Sequence, residues 1–206
     1  MTRKPAGESP PGRLSLRNEP SGRDFAKASD ARRRILRVHV IVLGIDPGVA
    51  NTGYGVVAHD RGRLVALDGG VIETAAGDEP GARLARIYAR VGELMDGYTP
   101  DAVAVEDLYF GANANSAFAV GQARGVVILA AGQRRIPCRS YTPQQVKAAV
   151  CGSGRAGKGQ VQRMVQTLLS LAEPPKPDHA ADALAVAVCH ANHAPFAAAL
   201  TGAAAR

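Results

Sequence analysis

Four side chains in this sequence carry a chemistry that the rest of the chain has to support: Asp46, Glu106, His179 and Asp182. Asp46 closes the apolar run Val42-Leu43-Gly44-Ile45, and Glu106 closes Ala102-Val103-Ala104-Val105. A carboxylate at the end of a buried strand is costly unless something positive meets it. In open α/β sheets, strand ends are also where ligands bind. His179 and Asp182 stand three residues apart, so on a helix they share a face. Asp182 shares that face with Val186 and Cys189, which turns it inward. Carboxylates and an imidazole gathered at one point repel or desolvate one another, and a hard divalent cation with oxygen ligands relieves that conflict. A pair of such ions activates water and stabilises the leaving oxygen of a phosphodiester. Each residue also has a plain structural use. Asp46 can start an Asp-Pro-Gly turn, Asp182 can complement a helix dipole, and Glu106 and His179 can be solvated surface groups. The residues leave both readings open until something brings the four together.

The elements that would bring them together can be read from periodicity. Val38 to Ile45 reads as a buried strand, with Tyr54–Ala58 and Leu64–Thr74 following across short turn-like links, as in an antiparallel meander. Leu84, Ile87, Val91 and Leu94 recur at helical spacing and predict a helix over Pro80–Met95, with Arg83, Arg86 and Arg90 around its outside. Ala102–Val105 is a short strand, and a loop then leads to a helix opening near Asn115-Ser116. Pro137–Tyr141 is a fifth strand. Thr142 caps the next helix, with Pro143 at its first position. The glycine-rich stretch Gly152–Gly159 breaks that helix, and another follows over Gln160–Leu171. Pro174-Pro175-Lys176-Pro177 enforces extended backbone, after which Asp178 opens a last helix to about His193. The order predicts an α/β fold with a mixed sheet of five strands flanked by helices, in a single domain.

Composition sets the outer bounds. With 46% hydrophobic and 21% charged residues, the chain is neither wholly disordered nor collagen-like. Three cysteines are too few and odd in number for a disulfide framework, which predicts a reducing cytoplasm. No apolar run approaches the roughly 20 residues that span a bilayer, and the N-terminus lacks the apolar stretch of a secretory signal. The net charge of +7 invites a nucleic-acid reading, but the first 39 residues hold 10 Lys or Arg against 4 Asp or Glu. That leaves the body close to neutral. The expected organisation is a disordered basic leader over 1–37, a nuclease domain over 38–193, and a flexible Ala-rich tail over 194–206.

Several motifs in order resemble one family. Gly44-Ile45-Asp46-Pro47-Gly48 with Thr52-Gly53-Tyr54-Gly55, then Glu106-Asp107-Leu108-Tyr109, Gly121-Gln122-Ala123-Arg124-Gly125 and His179-Ala180-Ala181-Asp182-Ala183-Leu184 are similar to the RuvC family of Holliday junction resolvases. The resemblance runs from about Val40 to Asn192. It implies an RNase H-like fold, a homodimer, and paired symmetric nicks in a four-way DNA junction that leave 5′-phosphate and 3′-hydroxyl ends. It also implies Mg²⁺ or Mn²⁺, two ions per active site, and partnership with a RuvA–RuvB branch-migration complex. Asp46, Glu106 and Asp182 match the family's acids, and His179 stands where other members carry Asp or His. Imidazole suits transition metals better than Mg²⁺, so Mn²⁺ is the expected preference. Tyr109 matches the family's stacking aromatic, with Phe110 beside it, and base stacking on an exposed ring is worth roughly 1–3 kcal/mol. Lys147 and Lys158 match lysines near the scissile strand. Asn113 and Ser116, at a helix start, are further expected phosphate contacts.

Two other readings compete. Gly152-Ser153-Gly154-Arg155-Ala156-Gly157-Lys158-Gly159 nearly spells a P-loop, but Gly159 replaces the Ser or Thr that binds Mg²⁺, and the segment follows a helix where a strand is needed. A non-catalytic DNA-binding module on the same scaffold is the other; retention of Asp46, Glu106 and Asp182 argues against it.

Overall fold

The structure, a computed structural model, describes the backbone of residues 39–107 and 114–203, with side chains over 40–107 and 117–193. Its centre is one sheet of five strands: β1 (His39–Asp46), β2 (Asn51–Asp60), β3 (Arg63–Glu73), β4 (Ala102–Glu106) and β5 (Cys138–Tyr141). The spatial order is β3-β2-β1-β4-β5. β1, β2 and β3 form the expected antiparallel meander, and β4 and β5 add in parallel to the other edge. The helices are α1 (Pro80–Tyr98), α2 (Ala114–Gln133), α3 (Pro143–Cys151), α4 (Lys158–Leu168) and α5 (Asp178–Ala203). Two of them, α1 and α2, supply the crossovers that parallel strands require.

Each sheet face has its own core. Leu43, Ile45, Val56, Val103 and Val105 pack with Ile87, Val91, Met95 and Val127 of α1 and α2. Val42, Val57 and Ala104 pack on the opposite face with Val146, Val161, Val165, Leu184 and Val188 of α3, α4 and α5. Because strand side chains alternate between faces, Asp46 falls on the face of Val42, and Glu106 on that of Ala104. Both acids therefore project to the α5 side.

The first turn of α5 is held very close to the sheet. A Cβ on Gly53 would stand 2.0 Å from the carbonyl oxygen of His179, and one on Gly44 would stand 2.2 Å from that of Ala183. Gly53 is the cross-strand partner of Asp46. Its missing side chain leaves room for the His179 backbone to sit beside that carboxylate.

Several boundaries differ from expectation, those of α4 and α5 among them. α4 begins at Lys158 rather than Gln160, with Gly157 as its N-cap in an extended conformation (φ −75°, ψ 157°); glycine is an accepted N-cap. It also ends sooner, at Leu168, with Ser170 just beyond in the left-handed region (φ 52°). α5 does not stop near His193 but continues to Ala203, so the backbone of residues 194–203, within the expected Ala-rich tail, is helical. That stretch holds four alanines between Ala194 and Ala199 and no glycine before Gly202, and alanine has the highest helix propensity. The expected leader over 1–37 lies outside the described residues. Among the described residues, no helix is long and apolar enough to cross a membrane.

Candidate active site

The parallel register of β1 and β4 aligns Val42 with Ala102 and Ile45 with Val105. One step further along it lie Asp46 and Glu106, side by side at the C-terminal ends of neighbouring strands. α5 lies across β1 and β2 and brings His179 and Asp182 over them. The His179 ring donates from Nδ1 to Asp46 Oδ2 at 2.7 Å, which leaves Nε2 as the ring atom free to meet a ligand. Asp182 faces the same mouth and stands 3.6 Å from Lys158 Nζ. The four residues selected from the sequence thus come together.

Charge in this mouth is strained in a consistent direction. Burial pushes the Glu106 carboxyl up to about 8, and the neighbouring Asp46 and Asp182 carboxylates push it the same way; Lys147 opposes them. Burial also raises Asp182 above the usual carboxylate range, with Lys158 pulling it back. The hydrogen bond to Asp46 raises His179 above the ordinary histidine value. Both lysines share a groove of about 220 Å³ with Glu106 and Asp182, walled by α3 and α4. Lys147 is carried there by α3, whose start is fixed by a capping box: Gln145 N–H donates to Thr142 Oγ1, and Gln145 Oε1 accepts from Thr142 N–H.

The donor set of three carboxylates and an imidazole fits a hard divalent cation. Among the described residues no group of three or more His, Cys, Asp or Glu side chains is gathered closely enough to hold a metal ion as it stands. An open mouth still suits such an ion, because Mg²⁺-class cations are held by one or two carboxylates together with waters and substrate phosphates.

Other expected contacts fall elsewhere. Tyr109, Phe110 and Asn113 lie outside the described residues, and Ser116 is in the first turn of α2 with its side chain undescribed. From the sequence, Asp178 is only the residue that opens the last helix. Here its Oδ2 lies 2.9 Å from Lys158 Nζ, while its Oδ1 accepts from Gln162 Nε2 at 2.9 Å. It therefore holds Lys158 at the edge of the mouth. Lys158 and Gln162 are four apart on α4, a spacing visible in the sequence, but their meeting with α5 is a tertiary contact.

Comparison with known proteins agrees with this geometry. The family model described as crossover junction endodeoxyribonuclease RuvC matches residues 42–190. The crossover junction endodeoxyribonuclease RuvC of Moorella thermoacetica is 55% identical over 157 residues, covering 76% of this chain and 94% of its own. The Thermus thermophilus RuvC structure is similar at 42% identity with a TM-score of 0.73, over 77% of this chain and 97% of that one. The same protein in complex with Holliday junction substrate gives a TM-score of 0.74 at 42% identity, over 77% and 96% of the two chains.

Proposed function

The chain belongs to the RuvC family of crossover junction endodeoxyribonucleases, and from that premise we propose that it resolves four-way DNA junctions by paired, symmetric, metal-dependent nicks leaving 5′-phosphate and 3′-hydroxyl ends. The observation that carries this reading is the meeting of Asp46 and Glu106 at adjacent parallel strand ends with His179 and Asp182 from α5. These four residues would hold the divalent ions, two per site, whose chemistry is to activate the attacking water and stabilise the leaving oxygen. Glu106 and Asp182 supply oxygen donors on the α4 side, Asp46 stands beside Glu106 at the end of β1, and His179 orients Asp46 through Nδ1. Lys147 and Lys158 neutralise phosphates of the scissile strand as it enters the mouth. Tyr109 and Phe110 stack on bases where the junction opens, and Asn113 and Ser116 take further phosphates.

A homodimer belongs to the same proposal, because two nicks related by symmetry require two sites related by a two-fold axis. Partnership with RuvA–RuvB and a cytoplasmic location complete it; the free thiols Cys138, Cys151 and Cys189 suit a reducing compartment. The experiment is to separate binding from cutting with Glu106→Gln and Asp182→Asn on a synthetic four-way junction. Junction affinity should stay near wild type. Cleavage should fall by at least the ~10–100-fold that loss of an outer partner of a metal ligand costs. Wild-type cutting by both variants would contradict the assignment.

A further inference from the structure

A second groove, of about 440 Å³, opens beside the acidic mouth, walled by the β1–β2 turn at Gly48 and Asn51, by Arg83 of α1, and by Val120 and Gln122 of α2; His179 stands on its edge. The groove holding Lys147 and Lys158 is bounded by α3 and α4 instead, so the Asp46–His179 pair sits between the two. Arg83 was expected among the arginines on the outer face of its helix. It is instead pinned. Its Nε donates to Thr74 Oγ1 at 2.8 Å, and buried Thr74 is itself fixed, its hydroxyl donating to the Val49 carbonyl at 2.6 Å and its N–H to the Ala50 carbonyl at 3.0 Å.

Some arginines pair with acids, Arg90 with Glu93, Arg134 with Asp96 and Arg124 with Asp107. Arg83 has no acidic partner among the described residues; the partner of its Nε is a neutral hydroxyl. A guanidinium that is oriented by a neutral acceptor, with neither Nη group bonded among the described residues, matches the fork geometry of a phosphate. His179 belongs both to the wall of this groove and to the acidic mouth, so a strand lying across Asp46 continues into it.

Building on the proposed function, we propose that this second groove takes the DNA backbone on the side of the scissile phosphate away from Lys147 and Lys158, with Arg83 as its phosphate-binding residue. The strand then passes over the carboxylates between two basic grips.

The test is equilibrium binding of a synthetic four-way junction in EDTA across a salt series, for wild type, Arg83→Gln, Arg83→Lys and Thr74→Val, with wild-type cleavage in Mn²⁺ or Mg²⁺ run alongside. Arg83→Gln should weaken binding and lower the salt slope by about 1, the loss of one phosphate contact. Arg83→Lys keeps the charge and should keep the slope. Thr74→Val keeps the charge but frees it, and should fall between wild type and Arg83→Gln in affinity. If Arg83 only braced Thr74, Lys would fail as badly as Gln, and the groove would be overturned. Unchanged affinity and slope in Arg83→Gln, with wild type still cutting, would also overturn the groove and leave the function standing. A wild type that neither binds nor cuts the junction would overturn the function and the groove together.

Discussion

His179 and Glu106 both bind protons more tightly in the fold than when free, and that can be read in solution. Glu106 is a carboxyl whose folded pKa, about 8, stands above its ordinary 4.5. Its contribution to stability is whole below the lower value and is lost as pH rises through the upper one. Asp182, also raised, acts the same way. His179 is raised as well, so the stability it gains from Asp46 is present below its ordinary value and lost as pH climbs past the folded one. All three point in one direction. Thermal melts of the protein in a chelator should show the melting temperature falling between about pH 4.5 and 8, and Glu106→Gln should flatten that fall. A melting temperature that holds level across this window in wild type would contradict the electrostatic account. For activity, the imidazole at position 179 should favour Mn²⁺ over Mg²⁺, and His179→Asp should raise cleavage in Mg²⁺ relative to Mn²⁺. Equal rates with the two ions in both proteins would remove that preference. These four residues were legible because strand ends and a three-residue helical spacing are local signals. Asp178 and Arg83 were not, since a partner on another element gives each its role.

At the scale of elements, the site depends on how near α5 can come to the sheet. Gly53 lies opposite Asp46 in the β1–β2 register and directly beneath the His179 carbonyl. Gly53→Ala would drive a methyl group into backbone, with no flexible side chain to yield. The expected cost is about 1–3 kcal/mol of overpacking strain, read by denaturant unfolding, together with a loss of cleavage larger than the loss of folded protein explains. Full activity in a normally stable Gly53→Ala protein would show that α5 need not sit so close. Much at this level was legible: the meander, the crossover helices, and the Thr142-Pro143 start of α3 all follow from hydrophobic period and capping chemistry. The glycines of β1 and β2 showed up as parts of a motif, but their use as a seat for α5 needs the packed pair. The far end of α5 was missed because an alanine-rich stretch reads equally as tail or helix.

At the scale of the whole molecule, the sheet separates two cores, and among the described residues one helix face lies without cover. On α2, Phe118 is 72% exposed and Leu129 is 55% exposed. Gln122 and Gly125 lie exposed between them on the same face. The proposed homodimer is expected to place its second copy on that face, given the two-fold symmetry that paired nicks demand. Phe118→Glu with Leu129→Arg should shift sedimentation toward monomer and convert paired nicks into single, uncoupled ones. Unaltered sedimentation would move the interface elsewhere. The sequence showed α2 as rich in Ala, Val and Gly but could not say which side faced the core, because nearly every position along it is apolar. The claim on which everything else stands is that these four side chains cut a four-way junction. It is tested most directly by offering wild type and Asp46→Asn a branch-mobile four-way junction beside a linear duplex of the same sequence, in Mg²⁺, Mn²⁺ or EDTA, and mapping the nicks. Symmetric nicks in opposite strands of the junction alone, requiring both a divalent ion and Asp46, are expected; cutting that proceeds in EDTA, survives Asp46→Asn or falls equally on the duplex would overturn the assignment.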